Sequence, residues 1–171
     1  MGDRGTVLVT GGSDFIGGWC MIGILQQGYT VRATVRELGR EGAVRGALGT
    51  VVDAGDRLSF YAANLTADAG WDAAMEGCDY LLHVASPLGV AEPKAPNERI
   101  VPARDGARRA VGAAIKARVR RVVLTSSMAA TSHGSAAGDN VADETVWTDP
   151  TAPGTSAYTQ SRTSPKRPHG T

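Results

Sequence analysis

Short apolar runs alternate with longer, intermittently apolar stretches as far as Thr125. Val7-Leu8-Val9 runs into Thr10-Gly11-Gly12, the pattern of a buried strand ending in a glycine turn. Ile16 to Gln27 is mostly apolar and long enough for a helix, with Gly28 placed to stop it. Tyr29 to Val35 reads as a second strand, rich in Thr and Val. Glu41 to Asp53 reads as a helix diluted by Gly42, Gly46 and Gly49. Leu58 to Ala62 is a third strand, Asp68 to Glu76 a short helix and Tyr80 to Ala85 a fourth strand. Asn97 to Ala117 carries the clearest helical stripe, with Ile100, Ala103, Ala107, Val111 and Ala114 recurring at helical spacing. Val122 to Thr125 makes a fifth strand. Strands that are apolar throughout, separated by helices, predict an α/β fold: a doubly wound parallel sheet covered on both faces. After Ser127 the periodicity stops, and Ala129 to Ser156 reads as a loop with one anchored piece, Asp143-Glu144-Thr145-Val146-Trp147. No repeat or linker divides the pattern, so residues 1–163 are expected to form one domain and residues 164–171 an irregular tail.

Composition removes several function classes. The chain has 171 residues, 42% of them apolar, which is too many for a disordered segment. With 18 Lys plus Arg against 17 Asp plus Glu, it lacks the basic excess of a nucleic-acid binder. No run approaches the ~18 apolar residues of a membrane helix. The run Thr6 to Thr10 is too short for a signal-peptide core. Cys20 and Cys78 make no disulfide framework and read as reduced thiols, which together with the missing leader predicts a cytoplasmic protein with neither membrane nor nucleic-acid partner. His83, His133 and His169 have no metal-ligand spacing, so no metal is expected. His83 reads as a core or cofactor-edge histidine and His133 as a solvated loop residue. Trp19, Trp147 and Cys20 read as packing groups.

Thr10-Gly11-Gly12-Ser13-Asp14-Phe15-Ile16-Gly17 lies between the first strand and the first helix. A turn in that place aims backbone N–H groups and a helix N-terminus at a pyrophosphate. It resembles the TGxxGxxG motif of the extended short-chain dehydrogenase/reductases, the NAD-dependent epimerase/dehydratase superfamily. Gly28 to Glu37 (GYTVRATVRE) is similar to the second strand of the dihydroflavonol 4-reductase/cinnamoyl-CoA reductase group. CDYLLHVASP (Cys78 to Pro87), VRRVVLTSS (Val119 to Ser127), DETVWTD (Asp143 to Asp149) and SAYTQSRT (Ser156 to Thr163) continue the resemblance in order.

The resemblance implies a Rossmann-like fold, NADP(H) as cofactor and a small carbonyl compound as substrate. Gly11, Ser13, Asp14, Phe15, Ile16 and Gly17 would surround the pyrophosphate. Arg36 would meet the 2′-phosphate, which its planar fork suits. An NAD site would want an acid near position 35, where this chain has Val35. Asn64 and Leu65 would flank the adenine, and Val84, Ala85 and Ser86 would line the cofactor. Ser127, Tyr158 and Arg162 stand for Ser–Tyr–Lys. Tyr158 would protonate the carbonyl oxygen as hydride reaches carbon, and Ser127 would hold that oxygen.

The chain departs from its family in three places. Asp14 replaces the second glycine of the motif, putting a carboxylate where the pyrophosphate belongs while serving as a good helix N-cap. Arg162 replaces the lysine, keeping the charge but not the compact ammonium. Pro165 and Pro168 cut the tyrosine helix short, and the last strands and C-terminal substrate lobe of the family are missing. Together these imply little carbonyl reduction by this chain. They leave a non-catalytic remnant as the alternative, ahead of a sugar-nucleotide epimerase or dehydratase.

The tail carries its own expectation. The family continues the tyrosine helix with a pattern like LAExAAW, whereas this chain reads Ser-Pro-Lys-Arg-Pro-His-Gly-Thr. The codons CTC GCC GAA GCG CCC GCA TGG GAC encode LAEAPAWD. Losing their first base gives TCG CCG AAG CGC CCG CAT GGG AC, which reads as the observed tail. A frameshift just after Thr163 is therefore expected, and the nucleotide sequence checks it. An alternate frame past that point should encode the missing strands and lobe; an alternate frame closed at once, or without family resemblance, overturns it.

Overall fold

The computed structural model describes residues 4–87, 95, 97–131 and 145–163. His133, His169, Asp143, Glu144 and the tail at 164–171 lie outside the described residues, so the frameshift expectation does too. The chain divides into two compact units, Met1–Ser86 with Arg109–Thr125, and Pro87–Arg108 with Ser126–Thr171.

The first unit is built on strands β1 (Thr6–Thr10), β2 (Thr30–Val35), β3 (Leu58–Ala62), β4 (Tyr80–His83) and β5 (Arg121–Leu124). They form one sheet in the order β3-β2-β1-β4-β5, and every pair is parallel. Helices α1 (Phe15–Gln26), α2 (Glu41–Gly49), α3 (Trp71–Met75) and α4 (Asn97–Lys116) connect them. Successive side chains of β1 point to opposite faces. Val7 and Val9 pack with Met21, Ile22, Leu25 and Leu48 on one face. Leu8 packs with Leu81, Trp71, Met75, Ala110 and Ala114 on the other. The doubly wound parallel sheet expected from the sequence is thus present. After β3 the chain crosses to the far side of β1 to lay down β4. The reversal of strand order falls between β1 and β4, whose carboxyl ends are where ligands of such sheets bind.

Gly28 stops α1 as expected. Its φ of 87° is left-handed, its N–H reaches the Leu25 carbonyl (3.0 Å), and Tyr29 N–H reaches that of Ile24 (3.3 Å). The Arg57 guanidinium donates to the Leu25 and Tyr29 carbonyls at 2.7 and 3.2 Å, covering the same end.

Several boundaries differ from the sequence reading. The second helix ends at Gly49, not Asp53, because Val51 and Val52 N–H groups both turn back to the Leu48 carbonyl. The third begins at Trp71, not Asp68; Gly70 (φ 88°) sits so close under β3 that a Cβ there would lie 2.0 Å from the Ala62 carbonyl oxygen. The stripe on α4 is displaced. Arg99, Ala107, Ala110, Ala113 and Ala114 are buried, whereas Ile100, Ala103 and Val111 are only half-buried. Trp19 is not a packing group: it is 56% exposed, edge-on to Phe15, because Met21, Ile22 and Leu25 carry the buried face of α1. Cys20 does pack partly against the core, and burial pushes its thiol up.

Leu81 is 1% exposed in the middle of β4, whereas Val123 on the outer strand β5 is 50% exposed. Leu81→Ala should cost about 2–5 kcal/mol in urea unfolding. Val123→Ala should stay within about 0.5 kcal/mol.

Candidate functional site

The glycine turn occupies the carboxyl end of β1. Gly11 takes φ 73°, and Asp14 N–H returns to its carbonyl at 3.0 Å. Gly12 N–H donates to the Thr34 carbonyl at 2.9 Å, and Gly11 N–H to the Thr34 hydroxyl at 3.4 Å, so β2 holds the turn from the side. Gly17, in the first turn of α1, lies against the turn so closely that a Cβ would fall 2.1 Å from the Gly11 carbonyl oxygen. Phe15 is 81% exposed, Ile16 is also exposed, and Ser13 is half-buried.

Asp14 stands at the N-cap of α1 with extended backbone, but its carboxylate makes no capping hydrogen bond. Instead Oδ2 lies over Gly11, 3.0 Å from where a Cβ would be. The carboxylate therefore leaves the helix N–H groups to other acceptors and sets a negative charge beside them.

The remaining expected cofactor residues gather at the same ends of neighbouring strands. Arg36 follows the last residue of β2 and is exposed. Asn64 and Leu65 follow β3. The Asn64 side-chain oxygen accepts from the Thr66 N–H and hydroxyl, both at 3.1 Å, so its carbonyl end is held by the turn that follows β3. Leu65 packs against the second core. Val84, Ala85 and Ser86 follow β4. Thr10 Oγ1 accepts the N–H groups of Val84 and Ala85, each at 3.0 Å, and lies 2.9 Å from His83 Nδ1. These bonds end β4 at His83, two residues before the sequence reading ends it.

The second unit brings Ser127, Tyr158 and Arg162 together. Ser127 follows β5 and caps a short 3₁₀ turn, Met128–Ala130, by accepting Ala129 N–H at 3.3 Å. Helix α5 (Ala157–Thr163) carries Tyr158 and Arg162 one turn apart. Ser156 caps that helix through its hydroxyl, which accepts Thr159 N–H at 3.2 Å. Thr148 ties the preceding loop to the 3₁₀ turn, donating from its N–H to the Ala130 carbonyl (2.9 Å) and from its hydroxyl to Ala129 (2.8 Å). The Ser127 and Tyr158 hydroxyls are 3.1 Å apart. The Arg162 guanidinium lies over the Tyr158 ring at 5.1 Å, and its buried Nε has no hydrogen-bond partner.

This setting makes Tyr158 more acidic than an ordinary tyrosine. The Ser127 hydrogen bond is the largest cause; burial opposes it, and the charges of Arg162 and Arg99 add to the lowering. Arg99 escaped the sequence reading. It is an arginine 8% exposed on α4, beside the apolar positions that drew attention there. Its signal was its place on the buried face of a helix, legible only once the stripe's true phase was known. Among the described residues, no group of His, Cys, Asp and Glu is arranged to hold a metal, and no helix is long and apolar enough to cross a membrane.

A family model described as the NAD dependent epimerase/dehydratase family matches residues 7–164. Dihydroflavonol 4-reductase from Dianthus caryophyllus is 38% identical over 147 residues, covering 86% of this chain and 40% of its own length. A putative anthocyanidin reductase from Ginkgo biloba is 36% identical over 150 residues, covering 86% of this chain and 44% of its own. Among solved structures, vestitone reductase from alfalfa superposes with a TM-score of 0.71 at 30% identity, covering 94% of this chain and 49% of that one. Yeast methylglyoxal/isovaleraldehyde reductase complexed with NADPH shares the fold with a TM-score of 0.77 at 23% identity, covering 92% and 49%. The chain thus spans about 40% of the length of these curated relatives and about half of the solved structures.

Ser127→Ala and Arg162→Met each remove a group that favours the Tyr158 phenolate. Both should move its titration upward, so that less phenolate is present at any given alkaline pH. The difference in phenolate absorbance between each variant and the same variant carrying Tyr158→Phe measures this.

Proposed function

We propose that this chain, which belongs to the NAD dependent epimerase/dehydratase family, is the cofactor-binding part of an NADPH-dependent reductase of the dihydroflavonol reductase type, acting on the carbonyl of a small molecule. One observation carries the reading: the Ser127–Tyr158 hydrogen bond with Arg162 against the ring. Tyrosine normally titrates near ~10 and is a poor proton donor at neutral pH. A neighbouring hydroxyl and two cations bring it toward the range in which it gives up a proton readily. Residues 1–163 form the proposed unit of function. Its two free cysteines suit a reducing, cytoplasmic compartment.

The turn fits a dinucleotide. Gly17 and Gly11 meet where no side chain has room, which lets backbone N–H groups come close to a pyrophosphate. Gly11, Ser13, Phe15, Ile16 and Gly17 would hold that group, Arg36 the 2′-phosphate, Asn64 and Leu65 the adenine, and Val84, Ala85 and Ser86 the floor. NADPH, when bound, supplies the hydride. Tyr158 then gives its proton to the carbonyl oxygen. Ser127, whose oxygen accepts from Ala129 N–H and lies 3.1 Å from the Tyr158 hydroxyl, would turn its own proton from Tyr158 to that carbonyl oxygen.

Asp14 favours a second reading, a remnant that binds nucleotide weakly. Its carboxylate lies over Gly11, against the expected pyrophosphate. Like charges ~4 Å apart cost about 4 kcal/mol at an effective dielectric near ~20.

Titrating the purified chain with NADPH, followed by nicotinamide fluorescence, decides between them. Saturable binding supports the reductase reading, and none at millimolar concentration rejects it. Arg36→Ala should weaken NADPH and leave NADH nearly unchanged; equal loss for both removes Arg36 from the 2′-phosphate. Asp14→Gly should tighten NADPH by about tenfold or more. Unchanged affinity would mean that the pyrophosphate does not lie on this turn.

A further inference from the structure

Thr10 is fully buried at the end of β1, and His83 is 6% exposed opposite it on β4. A threonine hydroxyl has one proton and two lone pairs. The Val84 and Ala85 N–H groups, each 3.0 Å from Oγ1, occupy both lone pairs. The hydroxyl proton must then go elsewhere, and His83 Nδ1 stands 2.9 Å away. A ring nitrogen that accepts is unprotonated, so the imidazole is neutral and carries its proton on Nε2. The other tautomer and the imidazolium both present N–H at Nδ1. Either would set three donors against two lone pairs and leave the Thr10 proton without an acceptor.

The consequence lies at the turn. Ala85 backbone is the floor on which Gly11 rests: a Cβ at Gly11 would be 3.1 Å from Ala85 Cα and 3.2 Å from its nitrogen. The bonds from Thr10 fix that floor, and His83 fixes the direction of the Thr10 hydroxyl.

We propose that His83 is a positioning residue for the cofactor turn: by accepting the Thr10 proton at Nδ1, it keeps both lone pairs of that hydroxyl on the backbone beneath Gly11. The link to the cofactor rests on the reductase reading, while the hydrogen-bond polarity stands without it.

Nitrogen-15 NMR of the histidine rings tests the polarity directly. Of the three histidines in the chain, the set of signals lost in His83→Asn is that of His83. It should show the neutral Nε2–H pattern at neutral pH, with its Nδ1 signal moving in Thr10→Val. An Nδ1–H or imidazolium pattern overturns the proposal.

NADPH affinity tests the positioning. Asn offers Oδ1 as an acceptor in place of Nδ1, whereas Leu offers none. His83→Leu should weaken NADPH by about five- to tenfold, the worth of one buried hydrogen bond. His83→Asn should stay within about twofold of the parent. A leucine variant that is folded by circular dichroism and binds like the parent overturns the positioning role. If it does not fold, an asparagine variant that loses affinity as fully as Thr10→Val overturns it. If the unaltered chain binds no NADPH, the reductase reading fails and the ring-nitrogen pattern still decides the role of His83.

Discussion

The room left by the missing side chain of Gly17 is the constraint on which the cofactor end of the molecule depends. With a Cβ at that position 2.1 Å from the Gly11 carbonyl, α1 could not start where it does. Its displacement would carry Asp14, Phe15 and Ile16 away from the end of β1. It would also disturb the close approach of Gly11 to the Ala85 backbone, beside the Thr10 hydroxyl bonds that join β1 to Val84 and Ala85 beyond the last paired residues. Helix, turn and strand switch are therefore one packed object, and glycine at two positions is the condition for it.

Much of this was legible in the sequence because parallel strands buried on both faces are uniformly apolar. Leu58–Ala62 is bounded as the sequence places it, and the other strands lie within two residues. The misplacements have physical causes that no pattern displays. Asp68 looks like the opening of a helix, but it pairs with Arg109, and the helix waits for Gly70 to turn under β3. Val84 and Ala85 look like strand, yet their N–H groups leave the ladder for the Thr10 hydroxyl. Both of these departures are made by contacts with residues outside the segment that looks regular.

The candidate site divides in the same way. Gly11, Gly17, Ser127, Tyr158 and Arg162 could be named as candidates because the motifs around them resemble those of the family. Arg99 and the Thr10–His83 pair were not, because burial and hydrogen-bond direction make them what they are. Arg162 shows the limit of motif reading. The substitution keeps a cation one turn from the tyrosine, but the guanidinium settles on the face of the ring. A flat, delocalised cation does so readily, whereas an ammonium on a flexible stem can reach for oxygen atoms.

The exposed aromatic step at the head of α1 makes the molecule its own optical probe. The chain has three tryptophans, and each sits in a different environment. Trp71 is sealed in the core with its indole N–H bonded to the Asn64 and Ala67 carbonyls, Trp147 is half-open to solvent, and Trp19 stands in water one turn from the glycine turn. An aqueous quencher such as iodide therefore reaches Trp19 readily and Trp71 hardly at all. With Trp147 replaced by Phe, the quenchable part of the emission reports on the head of α1, and the protected part on whether the sheet beneath it is intact.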